Sequence, residues 1–599
     1  MIDLPFTLTA LRAAYREGIK PEEVVREVYR RIEAVDDPGI FIHLIETDAV
    51  IAEARALGAY DSKKPLFGIP FAIKDNIDAA GLPTTAACPA FAYTAEKDAF
   101  VVERLRAAGA LLIGKTNLDQ FATGLVGVRT PYPVPKNAID PAIVPGGSSS
   151  GSAVAVAHGM VSFALGTDTA GSGRVPAALN NIVGLKPSLG ALSATGMVPA
   201  CRTLDTISVF ALTVDDAYDV FREAAVFDDG DAYARRFEMP PLTAAPPAFR
   251  LGIPSADSIE FCGDDDQASS FTHAIEALQH LGAEVTPLDF SDLYELAGLL
   301  YEGAWVAERL TVIERLLAER PEQIHPVTRD IIVRGSAMSA ADAFRDAYRL
   351  QALKRRILPA LGSVDLLAVP SMPTFYTVAD LEADPVTPNS RLGTYTNFVN
   401  LLDLCGIAVP TGPRRDGRPG SVTLLARAGR DGLLATLAKS LHHAASPGLG
   451  ATGWHLPPLD PPMPAVTADE IAIAVCGAHM AGLPLNRELT DRGARFLLAA
   501  ETAPSYCLFA LPGGPPARPG MIRVAAGEGS RVQLELWAMP KTALGAFVDN
   551  IPPPLGLGTI ALADGSSAKG FLCESAGLTG ATDISAYGGW RRYLDHQAC

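Results

Sequence analysis

Short apolar runs alternate with helical patterns over the first two thirds of the chain, and this alternation limits the possible folds more than any other feature. Apolar residues recur at helical spacing in residues 8–14 and 24–32. Compact apolar runs such as 161–166 and 366–370 have the length and the flanking residues of buried strands. This order of segments predicts an α/β domain with a central sheet flanked by helices.

A segment rich in proline and glycine, residues 444–466, divides the chain into two parts. Such a composition sustains neither a helix nor a central strand, so we interpret it as a semi-rigid linker. We expect residues 1–443 to form the α/β domain and residues 467–599 to form a smaller domain. The apolar run 470–476 and the alternating run 532–538 indicate strands, so the smaller domain is predicted to be α+β.

Charge and hydropathy exclude several classes of partner. The net charge of −17 argues against nucleic acids and anionic membranes, because both require concentrated lysine and arginine. The first residues lack the basic and apolar regions of a secretory signal, and the most apolar stretch, 153–165, is too short to cross a bilayer. We therefore expect a cytoplasmic protein without a membrane partner.

The eight cysteines are scattered, and no Cys-x-x-Cys pair occurs among them. Cys476 and His479 form a single Cys-x-x-His pair without a second pair to complete a zinc site. The pattern is typical of reduced thiols and not of a disulfide framework. We predict neither a metal nor a cofactor.

Two turns rich in glycine and serine carry the chemical signal of the chain. The first is Gly-Gly-Ser-Ser-Ser-Gly at 146–151, and the second is Gly-Thr-Asp-Thr-Ala-Gly-Ser-Gly-Arg at 166–174. Each presents a hydroxyl group, on Ser148 and Ser172, on a backbone that few side chains obstruct. Upstream, Lys74 lies in the motif Phe-Ala-Ile-Lys-Asp-Asn. A serine needs a base to act as a nucleophile at neutral pH, and a desolvated lysine is able to supply one.

These three elements at these spacings resemble the amidase signature family, whose hydrolases use a Ser–cisSer–Lys triad and no metal. The resemblance implies the amidase signature fold, with a central mixed β-sheet flanked by helices. It also implies roles for the matching residues. Ser172 is expected to be the nucleophile, Ser148 the bridging hydroxyl on a cis peptide after Gly147, and Lys74 the base. A Ser-His-Asp triad is disfavoured, because His158 falls on an apolar helix.

The same resemblance implies an oxyanion hole made of backbone N–H groups from the run Thr169, Ala170, Gly171 and Ser172. Most of the family has Gly-Gly before the nucleophile, whereas this chain has Ala-Gly. The departure is mild, since alanine leaves the amides accessible. Asp168 and Asp205 are expected to orient the nucleophile loop, and Lys115 is expected to be structural.

A narrower resemblance, to the allophanate hydrolase family, rests on residues 120–132, 172–174, 199–205 and 474–486. Allophanate is urea that carries an N-carboxylate, so its recognition requires a cation near the acyl site. The resemblance implies that Tyr301 and Arg309 bind this carboxylate. Their separation of eight residues predicts one helical face, two turns apart.

Two further residues are candidates for the substrate pocket. The resemblance places Gly124 there, and Arg174 either lines the pocket or forms a structural ion pair. Arginine suits this role because its planar guanidinium donates two parallel hydrogen bonds to a carboxylate.

The tail resembles a γ-glutamyl cyclotransferase-like fold but lacks a convincing counterpart of the cyclotransferase glutamate. In the allophanate hydrolase family this domain is implicated in decarboxylating N-carboxycarbamate, which makes His479 the candidate acid or anion binder. A domain that serves only packing and dimerisation is an equal alternative.

The resemblance implies hydrolysis of allophanate to ammonia and N-carboxycarbamate, and overall two ammonia and two CO₂. A homodimer and an upstream biotin-dependent urea carboxylase are expected, and no biotinyl-lysine motif occurs in this chain. Two alternatives stay open, namely an amidase for another small carboxylated amide, such as a malonamate, and a glutaminase component of an amidotransferase. The choice between urea, ureide and triazine degradation is also open.

Overall fold

The computed structural model describes residues 2–445, 447–459, 465–525 and 527–598. The chain forms two compact units. The first contains the chain up to residue 239 together with 251–280 and 285–458, and the second contains 240–250, 281–284 and the chain from 459 onward. The division near 458 falls inside the predicted linker, but the second unit also takes in two short segments from far upstream.

The strands of the first unit are β1 (Phe41–Leu44), β2 (Pro70–Lys74), β3 (Pro83–Thr84), β4 (Tyr93–Thr94), β5 (Leu111–Thr116), β6 (Phe163–Asp168), β7 (Val183–Lys186), β8 (Thr206–Ala211), β9 (Phe249–Pro254), β10 (Ala283–Leu288), β11 (Leu366–Pro370), β12 (Leu404–Pro413), β13 (Pro419–Arg427), β14 (Gly448–Leu449) and β15 (Trp454–His455). The first two residues of β9 and of β10 are assigned to the second unit. The large sheet has the order β1-β5-β2-β6-β8-β7-β12-β13-β11-β9-β10. It is mixed, since β2 runs parallel to β5 and β6 whereas β6 runs antiparallel to β8. The α/β fold with a central mixed sheet is confirmed.

The helices of this unit are α1 (Leu8–Arg16), α2 (Pro21–Val35), α3 (Thr47–Ala56), α4 (Phe100–Ala107), α5 (Ser150–Ala157), α6 (Val175–Leu179), α7 (Val214–Ala224), α8 (Asp265–His280), α9 (Ser291–Glu302), α10 (Trp305–Glu319), α11 (Pro326–Ile332), α12 (Ala340–Gly362), α13 (Val378–Ala383), α14 (Thr387–Leu392), α15 (Asn397–Leu401) and α16 (Asp431–Ala445). Every residue of β2, β6 and α5 is buried. This is why these segments are apolar or built from small residues, and it places their ends inside the domain.

Part of the predicted linker is ordered on the first unit. Strands β14 and β15 pair as a short antiparallel hairpin. The side-chain amide of Asn181 donates to the carbonyls of Gly448 and Gly450, and the guanidinium of Arg31 lies over the Trp454 ring. Residues 446 and 460–464 of the predicted linker lie outside the described residues.

The second unit has the strands β16 (Glu470–Val475), β17 (Arg495–Glu501), β18 (Tyr506–Ala510), β19 (Pro519–Arg523), β20 (Gln533–Pro540), β21 (Leu555–Ala561), β22 (Ser567–Cys573) and β23 (Thr582–Asp583), and the helices α17 (Arg487–Thr490), α18 (Lys541–Val548) and α19 (Trp590–Ala598). Five strands form one sheet in the order β17-β20-β16-β22-β21, and β19-β18-β23 form another. Ile473, Trp537 and Phe547 are among the residues of a core that belongs to this unit. Among all described helices of the chain, none is both long enough and apolar enough to cross a bilayer.

Candidate active site

The catalytic candidates meet at one edge of the large sheet. Strands β2 and β6 are parallel neighbours, so their carboxyl ends lie side by side. Lys74 is the last residue of β2, and β6 ends at Asp168 just before the loop that carries Ser172. Ser148 lies immediately before α5, where the Asp119 amide donates to its carbonyl at 3.0 Å. Three segments that are distant in sequence thereby converge on one point.

A continuous chain of hydrogen bonds links the three side chains. Lys74 Nζ lies 2.8 Å from Ser148 Oγ, and Ser148 Oγ lies 2.9 Å from Ser172 Oγ. All three residues are buried. Burial lowers the pKa of Lys74 to about 7, although Asp119, Asp205 and Asp168 act in the opposite direction. The amine is therefore able to hold or release a proton near neutral pH.

Thr167 is a fourth member of this chain that the sequence analysis did not single out. Its Oγ1 lies 2.6 Å from Lys74 Nζ. Ile73 pairs with Leu165 in the parallel register of β2 and β6, which brings the two following strand ends together. Once this strand pairing is known, the position of Thr167 beside Lys74 can be predicted from it. Its hydroxyl gives the amine a second fixed neighbour.

The Gly147–Ser148 peptide bond is cis. A Cβ atom at Gly147 would lie 2.0 Å from Asp119 Oδ2 and 2.5 Å from the Gly127 amide nitrogen. No side chain fits in this space, so the backbone before Ser148 requires glycine here. The turn 146–151 is also shorter than its composition suggests, because α5 already begins at Ser150.

The nucleophile loop is organised around Asp168, as predicted. Its carboxylate accepts from the amides of Gly171 and Gly173, both at 3.0 Å, and from Arg174 Nε and Nη2, both at 2.9 Å. Burial alone would raise the pKa of Asp168, but Arg174, Lys186 and the Gly173 amide together lower it, so the pKa lies below its usual range. Arg174 is fully buried in this ion pair. Of the two roles expected for Arg174, the geometry therefore favours the structural ion pair over a place in the substrate pocket.

The expected set of oxyanion-hole donors needs one correction. The Gly171 amide already donates to Asp168, so it is not free to bind a substrate oxygen. The amides of Thr169, Ala170 and Ser172 donate no hydrogen bond to any residue that the structure describes. Thr169 is itself held by a hydrogen bond from its hydroxyl to Asp205, whose pKa burial raises to about 6.

Tyr301 and Arg309 do not share one helix, contrary to the prediction. Helix α9 ends at Glu302 and α10 begins at Trp305, so a break separates the two residues. They still come together, because the Arg309 guanidinium lies 5.2 Å from the centre of the Tyr301 ring. The two side chains are therefore close because two successive helices bring them together, and not because they share one helical face.

Arg309 is 2% exposed, and its guanidinium is incompletely satisfied. Nη1 donates to Thr123 Oγ1 at 3.2 Å, while Nε and Nη2 have no hydrogen-bond partner among the described residues. These two atoms form the edge with which an arginine binds both oxygens of a carboxylate. An unpaired buried cation is costly, so this edge indicates a site for an anionic ligand.

Gly124 lies next to the nucleophile Ser172 and directly follows the residue that contacts Arg309. Its carbonyl oxygen is 3.5 Å from Ser172 Oγ. The preceding residue, Thr123, contacts Arg309 through its hydroxyl and accepts from Arg129 Nη1 through its carbonyl at 3.1 Å. Thr123 and Arg129 were not among the predicted site residues, although both lie within the motif 120–132.

The second unit contains its own cavity, of about 290 Å³, around His479. The imidazole stacks on Phe571 with ring centres 4.9 Å apart, and Nε2 lies 3.1 Å from Glu488 Oε2. Burial lowers the pKa of His479, although Glu488 acts in the opposite direction. Arg518 also lines the cavity, and its guanidinium makes no hydrogen bond with the part of the chain that the structure describes.

Comparisons with known proteins agree with this architecture. Residues 23–435 match the amidase family model, and residues 471–595 match the model of the allophanate hydrolase C-terminal domain. The chain therefore belongs to the amidase family and carries, in addition, the C-terminal domain of allophanate hydrolases. The resemblances to the amidase signature family and to the allophanate hydrolase family are confirmed, whereas the γ-glutamyl cyclotransferase-like fold of the tail stays a prediction.

Individual relatives cover different parts of the chain. Urea amidolyase of Saccharomyces cerevisiae is 44% identical over 93% of this chain, and the chain spans only 31% of that relative's length. The structure of Kluyveromyces lactis allophanate hydrolase is 39% identical, covers 98% of this chain and 99% of its own, and superposes with a TM-score of 0.81. A glutamyl-tRNA(Gln) amidotransferase component of Nitratidesulfovibrio vulgaris is 33% identical over 74% of this chain and 97% of its own length.

Proposed function

We propose that this chain is an allophanate hydrolase. One observation carries the proposal, namely that a Lys–Ser–Ser chain of hydrogen bonds lies beside a buried arginine whose carboxylate-binding edge has no partner among the described residues. A substrate for this site needs an amide carbonyl and, close to it, a carboxylate. Allophanate combines both in one small molecule. The similarity of the chain, over nearly its whole length, to a solved allophanate hydrolase supports the same conclusion.

In the first step Ser172 Oγ attacks the terminal carbamoyl carbon of allophanate. The Ser172 proton passes to Ser148 Oγ, whose own proton passes to the neutral amine of Lys74. The backbone amides of Thr169, Ala170 and Ser172 are the donors available to stabilise the oxyanion. Lys74 returns a proton through Ser148 to the leaving nitrogen, so that ammonia departs and an N-carboxycarbamoyl ester of Ser172 is left.

Water then cleaves this ester. The lysine amine, again through Ser148, accepts a proton from the water and returns it through Ser148 to Ser172 Oγ as the ester bond breaks, so that the products are N-carboxycarbamate and free Ser172. Throughout, Arg309 binds the substrate carboxylate through Nε and Nη2, and the Tyr301 ring lies against its guanidinium. Gly124 and Arg174 contribute differently, since Gly124 lies beside the nucleophile and Arg174 fixes the nucleophile loop through Asp168.

The cavity of the second unit is a candidate site for the decarboxylation of N-carboxycarbamate. A lowered pKa makes His479 mainly neutral at pH 7, which favours hydrogen bonding over the delivery of a resident proton. Arg518 then supplies the cation that a dianion needs. The alternative, a domain for packing and dimerisation, predicts that neither side chain affects the fate of the intermediate.

The upstream partner in this proposal is a biotin-dependent urea carboxylase, which would convert urea to allophanate. Support comes from the relatives named urea amidolyase, of which this chain corresponds to about a third. A homodimer and a cytoplasmic location stay predictions. The glutaminase alternative is not favoured, because the similarity to allophanate hydrolase extends over the C-terminal domain as well.

The experiment that tests this function is the measurement of ammonia released per allophanate consumed by the purified chain. We expect two ammonia per substrate, and no release above background for Ser172→Ala. Failure to consume allophanate, with turnover of malonamate instead, would move the substrate to another carboxylated amide. His479→Ala and Arg518→Met then show whether N-carboxycarbamate accumulates when the second cavity is altered.

A further inference from the structure

The segment 119–129 links the nucleophile to the carboxylate-binding arginine. The Asp119 carboxylate accepts from the amides of Val126, Gly127 and Arg129 at 3.2, 2.9 and 2.9 Å. The Gln120 amide donates to the Arg129 carbonyl at 2.7 Å. These bonds join the two ends of the segment, so it forms a closed loop whose middle is held in place.

Thr123 lies in the middle of this loop and is fully buried. The two residues before it, Phe121 and Ala122, both have φ of 52°, a left-handed conformation that residues with side chains rarely adopt. The Thr123 hydroxyl donates to the Phe121 carbonyl at 3.2 Å. Its oxygen lone pairs are therefore left for Arg309 Nη1, which lies 3.2 Å away.

Arg129 holds the other side of Thr123. Its Nη1 donates to the Thr123 carbonyl at 3.1 Å, and its Nη2 donates to the Pro385 carbonyl at 2.8 Å. Arg129 is 2% exposed, and its bond to the Thr123 carbonyl is buried, whereas the bond to Pro385 is only partly buried. The next carbonyl along the chain, that of Gly124, faces Ser172 Oγ. Thr123 and Gly124 together thus contact Arg129 and the nucleophile through their carbonyls and Arg309 through the Thr123 hydroxyl.

Among the described residues, Thr123 is the hydrogen-bond partner of the Arg309 guanidinium, and this bond orients the guanidinium. An arginine side chain has several rotatable bonds, so a single acceptor on Nη1 determines where the Nε and Nη2 edge points. We propose that Thr123, held by Arg129, is a positioning residue that aligns Arg309 and thereby sets the preference of the site for a carboxylated substrate. This inference rests on the proposed function in one respect, the binding of the substrate carboxylate by Arg309.

The test compares Thr123→Val, which keeps the shape of the side chain but removes the hydroxyl, with Thr123→Ser, which keeps the hydroxyl. We expect Thr123→Val to raise KM for allophanate about ten-fold while kcat changes less than about three-fold, the loss of one hydrogen bond to a charged group. Thr123→Ser is expected to restore KM to within about two-fold of the original. A fall in kcat of the same size in both variants would instead indicate general damage to the loop and would overturn the proposal.

A binding measurement separates this proposal from the proposed function. Malonate carries the carboxylate that Arg309 is expected to bind, and its affinity is measured by calorimetry in the Ser172→Ala background, where no turnover occurs. We expect about ten-fold weaker malonate binding with Thr123→Val and unchanged binding with Thr123→Ser. If the unaltered chain binds malonate but does not hydrolyse allophanate, the proposed function fails and this result still decides the role of Thr123.

Arg129→Lys provides a second variant in case Thr123→Val does not fold. A lysine keeps the positive charge but is unable to hold the Thr123 and Pro385 carbonyls at once with the geometry of a guanidinium. We expect an intermediate loss of malonate affinity, about three-fold, without a change in kcat. Unchanged malonate affinity in Thr123→Val, or in Arg129→Lys if only that variant folds, would overturn the proposal.

Discussion

Two buried arginines, Arg174 and Arg309, belong to the candidate active site, and they differ in what faces their guanidinium groups. At the nucleophile loop, Arg174 donates from Nε and Nη2 to the two oxygens of Asp168, each at 2.9 Å. At the start of α10, Arg309 leaves the same two atoms without a partner among the described residues. In the first arrangement the protein itself supplies the carboxylate that faces Nε and Nη2, whereas in the second we propose that a ligand supplies it.

The comparison teaches that burial of a cation does not by itself distinguish structure from function. Both side chains are at most 2% exposed. The difference is whether the protein supplies the anion, because a buried charge needs a partner in either case. A substitution at Arg174 should therefore act mainly on stability, and a substitution at Arg309 mainly on ligand binding.

Replacing Arg174 by methionine is expected to have the largest effect, a loss of about 3–5 kcal/mol in the free energy of unfolding, because Asp168 would be left buried and unpaired. Urea denaturation measures this loss. The matched control is Arg356→Met, which removes an exposed ion pair with Asp292 and Glu295 and should cost less than about 1 kcal/mol. Equal losses in the two variants would contradict the structural role of Arg174.

A carboxylate ligand should stabilise the chain through Arg309. With malonate at about 100 times its Kd, the free energy of unfolding is expected to rise by about 2.7 kcal/mol. Thermal unfolding with and without malonate measures the shift in Tm. In Arg309→Met the shift should disappear, and the same shift in that variant would place the anion elsewhere.

Replacing Arg309 by methionine is expected to lower kcat/KM for allophanate, which corresponds to a loss of about 1.5–3 kcal/mol in transition-state stabilisation. We expect no loss in the free energy of unfolding, since the variant removes an unpaired buried charge. Steady-state kinetics and urea denaturation test the two parts separately. Arg315→Met serves as the control on the same helix, because that side chain is 88% exposed and pairs with Glu319 on the surface. Unchanged kcat/KM in Arg309→Met would refute the carboxylate site.

The smallest expected effect is the change in kcat/KM over one pH unit, and it isolates Lys74 from both arginines, which stay protonated throughout the accessible range. Burial lowers the pKa of Lys74 to about 7. Because the neutral amine is the base, kcat/KM should fall about ten-fold per pH unit below about 7 and reach a plateau above it. A profile that is flat from about pH 5 to about pH 8 would exclude Lys74 as the titrating base.

The catalytic chain was predictable because its chemistry lies in local motifs. Gly147 and Gly171 occur where the backbone admits no ordinary side chain, so the composition of the two turns carries the geometry with it. The resemblance to known hydrolases then assigned roles to Ser148 and Ser172. The alternation of apolar runs predicted β6 and β11 within two residues of their ends.

Other parts of the site depend on contacts that no local pattern records. The break between α9 and α10 was missed because helical spacing continues across it. Thr123 lies next to Arg309 although 186 residues separate them along the chain. The Gly171 amide was predicted to be free because a sequence does not show that Asp168 turns back to accept from it.

The sequence by itself determined the α/β class, the two-part organisation and the residues proposed to perform the chemistry, because periodicity, glycine placement and motif spacing are local properties of the chain. Only the tertiary structure decided which buried arginine is already paired and which is open. That distinction depends on where each guanidinium edge points and which carboxylate reaches it. The packing of strands, loops and helices sets these relations, and sequence spacing does not encode them.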